Sequence, residues 1–352
     1  MRSLTLEYLD ALSFKKEHIA ALRAIGEFKG KQELYYQQSP EVLNNLIGLA
    51  AIESTISSNR IEGVSAEPGR VEALVLKTTK PKNRDEREIA GYRDALVIIH
   101  ESWEAMNFNI NVIKQLHTVV FRYTEEAGGE WKTGENQIVE RDRLGRITRI
   151  VFTPVLAADT PAAMEQLVER HRAAIEAGHD PLVIIPLTIL DYLSIHPFRE
   201  GNGRTARLLT LLLLYHHGYN VGRYISLERI IEESKKSYYE TLNASSQQWH
   251  EGEHDPFPWL TYWWGVMIRS YKEFEERVGT LKPSQGSKTE QVEIAVKRQI
   301  KPFTFSEIES ECPGVGKDMI RVVLRQLRDQ GRLRAEGTGR GAKWFKIEGR
   351  WD

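Results

Sequence analysis

One stretch constrains what this chain can fold into: His196-Pro197-Phe198-Arg199-Glu200-Gly201-Asn202-Gly203-Arg204-Thr205-Ala206-Arg207. An apolar run from Pro181 to Ile195 precedes it and another from Leu208 to Tyr215 follows it, which predicts helix, tight loop, helix with the polar residues at the junction. A junction of this kind binds anions. Glycines let the backbone approach a ligand closely, the first amides of the second helix have no intrahelical acceptor, and the helix dipole favours negative charge there. Arg204 and Arg207 stand three apart, on one face of that helix, and both can serve one polyphosphate. Glu200 would repel phosphate unless it holds a cation, and the economical reading is Mg²⁺ bridging phosphate oxygens. His196 carries the side chain that titrates nearest neutrality, which suits a general base taking a proton from an attacking hydroxyl.

At 352 residues the chain has room for two or three domains and ample core. Lys and Arg number 48 against 49 Asp and Glu, so no global field announces a nucleic-acid or membrane partner, and partners must be sought locally. Cys312 is the single cysteine, which excludes an intramolecular disulfide and fits a reducing compartment. The first residues lack the apolar centre of a signal peptide, and no run is long enough to cross a bilayer. The expected location is the cytoplasm. A P-loop is absent, since Gly-x-x-x-x-Gly-Lys-Ser/Thr does not occur.

The signature resembles that of Fic-domain proteins: His, any residue, Phe, any residue, Asp or Glu, Gly-Asn-Gly-Arg, two of any kind, Arg. Every fixed position is filled. A second string, Ser58-Asn59-Arg60-Ile61-Glu62-Gly63, ends a helix that Ser39 as cap and Pro40 in the first turn predict. In a helix Ser58 and Glu62 share a face, and Gly63 is a natural terminator. It resembles the family's inhibitory motif, and its place before the signature matches the subclass whose inhibitory helix is N-terminal to the core. The resemblance implies that Glu62 restrains the site through Arg207. It also implies that Glu200, Gly201, Asn202, Gly203, Arg204, Thr205, Ala206 and Arg207 line the ATP site, with Glu200 holding the metal.

Gln137-Ile138-Val139 and Ile147 to Phe152 are short β-prone runs around a turn at Asp142-Arg143-Leu144-Gly145, which predicts a hairpin. Fic proteins carry such a flap beside the site, and the resemblance puts Thr148, Arg149, Ile150 and Val151 over the nucleotide. The pair Tyr238-Tyr239 matches tyrosines that border the adenine in the family, where an aromatic face suits a purine. The family's base-reading asparagine, seven residues beyond the second tyrosine, is replaced here by Ser246. His117, among Leu116, Val119 and Val120, reads as a core or boundary residue.

The predicted organisation is mostly α: an N-terminal helical segment with the inhibitory motif over residues 1–82, a Fic-type helical core with its β-hairpin flap over 83–278, a linker over 279–288 and a winged-helix-like domain over 289–352. Within the core, helices are predicted at 85–103, 111–127, 160–177 and 181–195, with Ser226 capping a later one. A tryptophan-rich stretch, Trp259 to Met267, reads as a buried helix face. In the last domain Ser306 is the predicted cap of the second helix. Its third helix carries Lys317, Arg321, Arg325 and Arg328, and Arg340 and Lys343 flank the wing, so DNA or a protein is the expected partner there.

The leading expectation is a protein adenylyltransferase that moves AMP from ATP, with Mg²⁺, to a Tyr, Ser or Thr hydroxyl of a target protein, the chain itself included. Two rivals stand: a Fic enzyme using another nucleotide donor, and a winged-helix DNA-binding regulator whose Fic domain senses nucleotide. The intact His196 speaks for catalysis. A homodimer is left open, and no membrane partner is expected.

Overall fold

The computed structural model describes residues 2–36, 40–141, 146–279, 288–299, 301–312, 315–337 and 342–347. Ser39, the turn at 142–145, most of the linker and Arg340 lie outside the described residues. The chain divides into two compact units, residues 1–274 and 275–352.

The first unit is almost wholly helical: α1 (Leu6–Asp10), α2 (Lys16–Tyr36), α3 (Pro40–Ile61), α4 (Pro68–Val75), α5 (Arg84–Ser102) and α6 (Ile110–Val120) precede a hairpin of β1 (Ile138–Arg141) and β2 (Ile147–Phe152). Then come α7 (Thr160–Glu176), α8 (Pro181–Ile195), α9 (Asn202–His216), α10 (Leu227–Glu233), α11 (Lys235–Ser246) and α12 (Phe257–Gly279), the last of which runs past the boundary between units. The long α2 dominates the N-terminal region. The helix expected at 111–127 stops at Val120, with Asn109 rather than a later residue as its cap.

Two helices make the centre. Every residue of α8 from Leu182 to Ile195 is buried, as is every residue of α9 from Arg204 to Tyr215. A helix apolar on all sides must be wrapped on all sides, and α7, α5, α6, α11 and α3 do this. Pro186 sits inside α8 and has no N–H to give the Leu182 carbonyl. Trp264 of α12 fills that acceptor with its indole N–H at 2.9 Å, and Trp259 donates to the Pro186 carbonyl at 2.8 Å. The tryptophan-rich face therefore completes the hydrogen bonding of a proline-interrupted helix as well as its packing.

The second unit holds α13 (Lys288–Arg298), β3 (Phe303–Thr304), α14 (Phe305–Glu311), α15 (Lys317–Asp329), β4 (Leu333–Glu336) and β5 (Lys343–Lys346). Its strands form an antiparallel sheet in the order β3-β5-β4, with Trp344 of β5 opposite both Phe303 and Ala335. Its core is its own, built on residues such as Val292, Ile308, Val323, Leu324 and Leu333. The cap of α14 is Thr304, not Ser306: the Thr304 hydroxyl accepts from the Glu307 amide, and the Glu307 side chain reaches back to the Thr304 N–H. The short strand β3 carries the chain straight into that cap.

Among the described residues no helix is long and apolar enough to cross a membrane. Burial holds His100, His117 and His254 down to about 4 and His171 down to about 3. An unfolded chain therefore binds more protons than the folded one once the pH falls below the ordinary histidine value of 6.5, and stability drops as the pH falls towards 4. Asp191 acts the other way, since burial raises its carboxyl to about 6, but it is one group against several histidines. Thermal unfolding followed by circular dichroism should show a lower midpoint at about pH 5 than at about pH 7.5, with a loss on the order of 1 kcal/mol per histidine. An unchanged midpoint would show that these imidazoles are not buried in neutral form.

Candidate active site

The signature forms the junction between α8 and α9. His196 caps α8 with φ 52° and ψ 61°, in the left-handed region where a side chain costs on the order of 1 kcal/mol. Its N–H still closes the last turn onto the Tyr192 carbonyl at 2.9 Å. Nδ1 lies 3.3 Å from the Leu193 carbonyl, which can only accept, so Nδ1 carries the proton and Nε2 keeps its lone pair. Burial foremost holds His196 down to about 4, and Lys132 adds to this while the Leu193 carbonyl and Glu62 oppose it. At neutral pH the imidazole is an uncharged base.

The loop is braced from within and from below. Asn202 accepts from the Phe198 N–H at 2.9 Å and donates to the Phe198 carbonyl at 2.7 Å, so its buried amide is engaged on both sides. Phe198 is fully buried beneath the loop, with its ring stacked 3.7 Å from that of His117. His117 Nδ1 accepts from the Gly129 N–H at 2.9 Å, which leaves Nε2–H to donate to the Glu200 carbonyl at 2.9 Å. The core reading of His117 was thus incomplete: it is buried, and it fastens the loop.

Gly201 caps α9 with φ 76° and offers no side chain to the first amides. The first helical bond of α9 is Thr205 N–H to the Gly201 carbonyl, so the amides of Asn202, Gly203 and Arg204 have no intrahelical acceptor. Thr205 and Ala206 are fully buried, which restricts any contact with a ligand there to the backbone. A Cβ on Gly203 would come 2.2 Å from Glu62 Oε1, so a carboxylate already rests against the start of α9.

That carboxylate belongs to the end of α3. Arg207, 3% exposed, donates through Nη2 to Glu62 Oε1 at 2.9 Å and to the Ser58 carbonyl at 2.8 Å, and through Nε to the Ser58 hydroxyl at 2.8 Å. Gly63, with φ 82°, ends the helix, and Lys235 donates to the Ile61 carbonyl at 2.6 Å. Farther back, the Ser54 hydroxyl and the Tyr92 hydroxyl both donate to buried Glu228, tying α3 and α5 to α10.

Arg204 takes another direction. It pairs with Glu88 of α5 at 2.6 Å, both nearly free of solvent, lies 3.4 Å from Asn59 Oδ1, and stacks over Phe121. The two arginines read as sharing one polyphosphate are thus held by carboxylates from different helices. Glu88 carried no signal in sequence, because Arg84-Asp85-Glu86-Arg87-Glu88 has the composition of a solvated helix start. Glu200 is 44% exposed at the rim, and Arg84 donates to it at 2.9 Å while also reaching Glu88 and Glu126. Among the described residues no three His, Cys, Asp or Glu side chains could hold a metal by themselves. One carboxylate completed by water and phosphate oxygens is an ordinary Mg²⁺ environment, so the donor set fits a metal shared with a substrate.

The remaining expected residues belong to the hairpin and to α11. Tyr238 is buried against Trp259 and Tyr262, and Tyr239 is 41% exposed beside it. Both phenols are raised, by burial first, and both feel Glu62 and Arg207. Ser246 ends α11 and donates to the Asn243 carbonyl at 3.1 Å. In the hairpin Val139 pairs with Ile150 and Glu140 with Arg149. Thr148, Arg149 and Ile150 are exposed and Val151 half-buried. The root of the hairpin is held where His250 stacks on Phe152 and meets the Thr153 carbonyl at 2.8 Å.

Residues 107–214 match the Fic/DOC family. The chain is 26% identical over 257 residues to a protein adenylyltransferase Fic of Drosophila ananassae, covering 70% of this chain, and it spans 42% of that relative's length. A crystal structure of a Fic family protein from Desulfovibrio desulfuricans superposes with a TM-score of 0.63 at 17% identity, over 96% of this chain and 98% of that one. Fic-1 from C. elegans, residues 134–508, gives 0.59 at 20% identity over 75% and 73%.

Breaking the buried pair from the Glu88 side leaves an unpaired guanidinium in the core. Glu88→Ala should cost roughly 3 kcal/mol in urea unfolding, and Glu88→Gln, which keeps an acceptor, clearly less. Equal stability of Glu88→Ala and the native chain would show that Arg204 finds water or another partner.

Proposed function

We propose, from the premise that residues 107–214 are a Fic domain, that this chain transfers AMP from ATP to a hydroxyl of a target protein and is held in check by Glu62. One observation carries the reading. The Glu62 carboxylate rests on Arg207 and against Gly203, at the anion-binding start of α9, and also perturbs His196. An anion therefore already occupies the start of α9 beside the arginine.

The hydroxyl oxygen attacks the α-phosphorus, its proton passes to Nε2 of His196, and the bond to the departing pyrophosphate breaks. The amides of Asn202, Gly203 and Arg204 bind phosphate oxygens, and Arg207, once released from Glu62, offsets charge on the distal phosphate. Asn202 acts through the loop it braces, and Arg204 contributes from its pair with Glu88. Mg²⁺, when bound at Glu200, supplies further charge compensation on the phosphates. Tyr238 and Tyr239 border the base, and the exposed strand β2 offers its edge to a target segment.

The second unit is read as a winged helix: three helices and a three-stranded antiparallel sheet, with Lys317, Arg321, Arg325 and Arg328 on the outer side of α15. That side also exposes Met319 and Val322, and Arg321 and Arg328 are paired with Asp318 and Asp329. Apolar residues among neutralised charges favour a protein partner over DNA.

The test is the initial rate of label incorporation from α-labelled and, separately, γ-labelled ATP. Glu62→Gly should raise α-label transfer about tenfold or more, since even ~1.4 kcal/mol of net restraint shifts the competent population by that factor. Adding His196→Ala should abolish it while nucleotide binding persists. Label from the γ position alone would replace adenylyl transfer with kinase chemistry, and a folded Glu62→Gly no faster than the native chain would remove the brake from the reading.

A further inference from the structure

One short segment, residues 131–136, is strapped across the backbone on both sides of His196. The Lys132 N–H donates to the Pro197 carbonyl at 2.9 Å, and Lys132 Nζ donates to the Ile195 carbonyl at 3.1 Å and to Asn136 Oδ1 at 2.9 Å. Asn136 in turn donates to the Phe198 carbonyl at 3.3 Å, and the Trp131 ring lies 5.0 Å from that of Phe198. The three carbonyls flanking His196 are thereby all taken by one strap.

Lys132 is 5% exposed. Withdrawing an ammonium from water is costly unless its surroundings favour the charge. Here they do, because the end of α8 gathers carbonyls without helical partners and the negative end of the helix dipole.

We propose that Lys132 is a positioning residue for His196: it fixes the left-handed turn at the end of α8 and sets a positive charge on the carbonyl of the preceding residue, so that Nε2 is presented as a neutral base. This rests on the assignment of His196 as the base. The charged groups facing His196 are Lys132 from the strap and Glu62 from the end of α3, and they act in opposite directions. Burial lowers Lys132 itself to about 8, so its charge is present at neutral pH and is lost as the pH rises above that value.

The experiment is an NMR titration of the histidine ring carbons of the full chain, with the His196 signal identified by its absence in His196→Ala. It is paired with the pH profile of α-label transfer in the Glu62→Gly background. Lys132→Met should raise the pKa of His196 by about one unit, and Lys132→Arg should leave it near the native value. In parallel, Lys132→Met should cut transfer about tenfold near neutrality and shift the acid limb upward, and Lys132→Arg should recover most of the rate. Should Lys132→Met fail to fold, Lys132→Gln removes the charge while keeping polar groups for Asn136 and Ile195.

An unchanged His196 titration in a folded, uncharged variant overturns the proposal. So does an equal loss of rate in Lys132→Met and Lys132→Arg, which would mark a role in packing alone. If no variant transfers label at any pH, adenylyl transfer fails as the reading of the site, yet the titration still decides whether Lys132 governs His196.

Discussion

The structure depends on the need to bury two adjoining helices that are apolar on nearly every side. Once α8 and α9 are wrapped by their neighbours, the turn between them must lie at the edge of the core, with one helix ending and the other beginning at the same place. That puts unsatisfied carbonyls and unsatisfied amides side by side. Lys132 answers the first set, and the second set keeps no intrahelical acceptor. A junction of defined polarity follows from the packing.

The geometry of the signature was legible in sequence because it is local. Helix, glycine loop and helix can be read from apolar runs and turn residues, and the helix ending at Gly63 from its terminator. What could not be read is who holds each charged residue. Arg204 is paired by Glu88, Glu200 by Arg84 and the Glu200 carbonyl by His117, contacts that join α9 or the loop to α5 and α6 across most of the domain. No periodicity encodes such a pairing, and a Glu or Arg near a helix start reads as solvated until the fold places it. The cap of α14 shows a smaller loss of the same sort: Ser306 and Thr304 are both plausible caps in sequence, and only the strand before them decides.

Three guanidiniums at the site each lie against a carboxylate. Arg207 has Glu62, Arg204 has Glu88 and Arg84 has Glu200. This arrangement avoids leaving a guanidinium buried and unpaired, a state costing several kcal/mol. The three pairs differ in how readily they can be exchanged. Glu88 and Arg204 are both sealed from water, so their pair is a fixture. Arg84 and Glu200 are well exposed, so a divalent cation can compete for that carboxylate against a weak, screened attraction.

The Glu62–Arg207 pair falls between these extremes, with a buried arginine and a carboxylate 30% exposed. Such a pair opens from the carboxylate side: Glu62 can move into water with the end of α3, whereas Arg207 cannot leave without stranding its charge. Ser58 makes that asymmetry stronger, since its hydroxyl and carbonyl continue to hold two of the arginine's donors when Glu62 is gone. The guanidinium would then stay oriented, with its remaining donors turned to the place the carboxylate vacated. In the proposed reading, release of the restraint and readiness of the phosphate-binding arginine are therefore one event, because the same serine that helps present Glu62 keeps Arg207 aimed after Glu62 leaves.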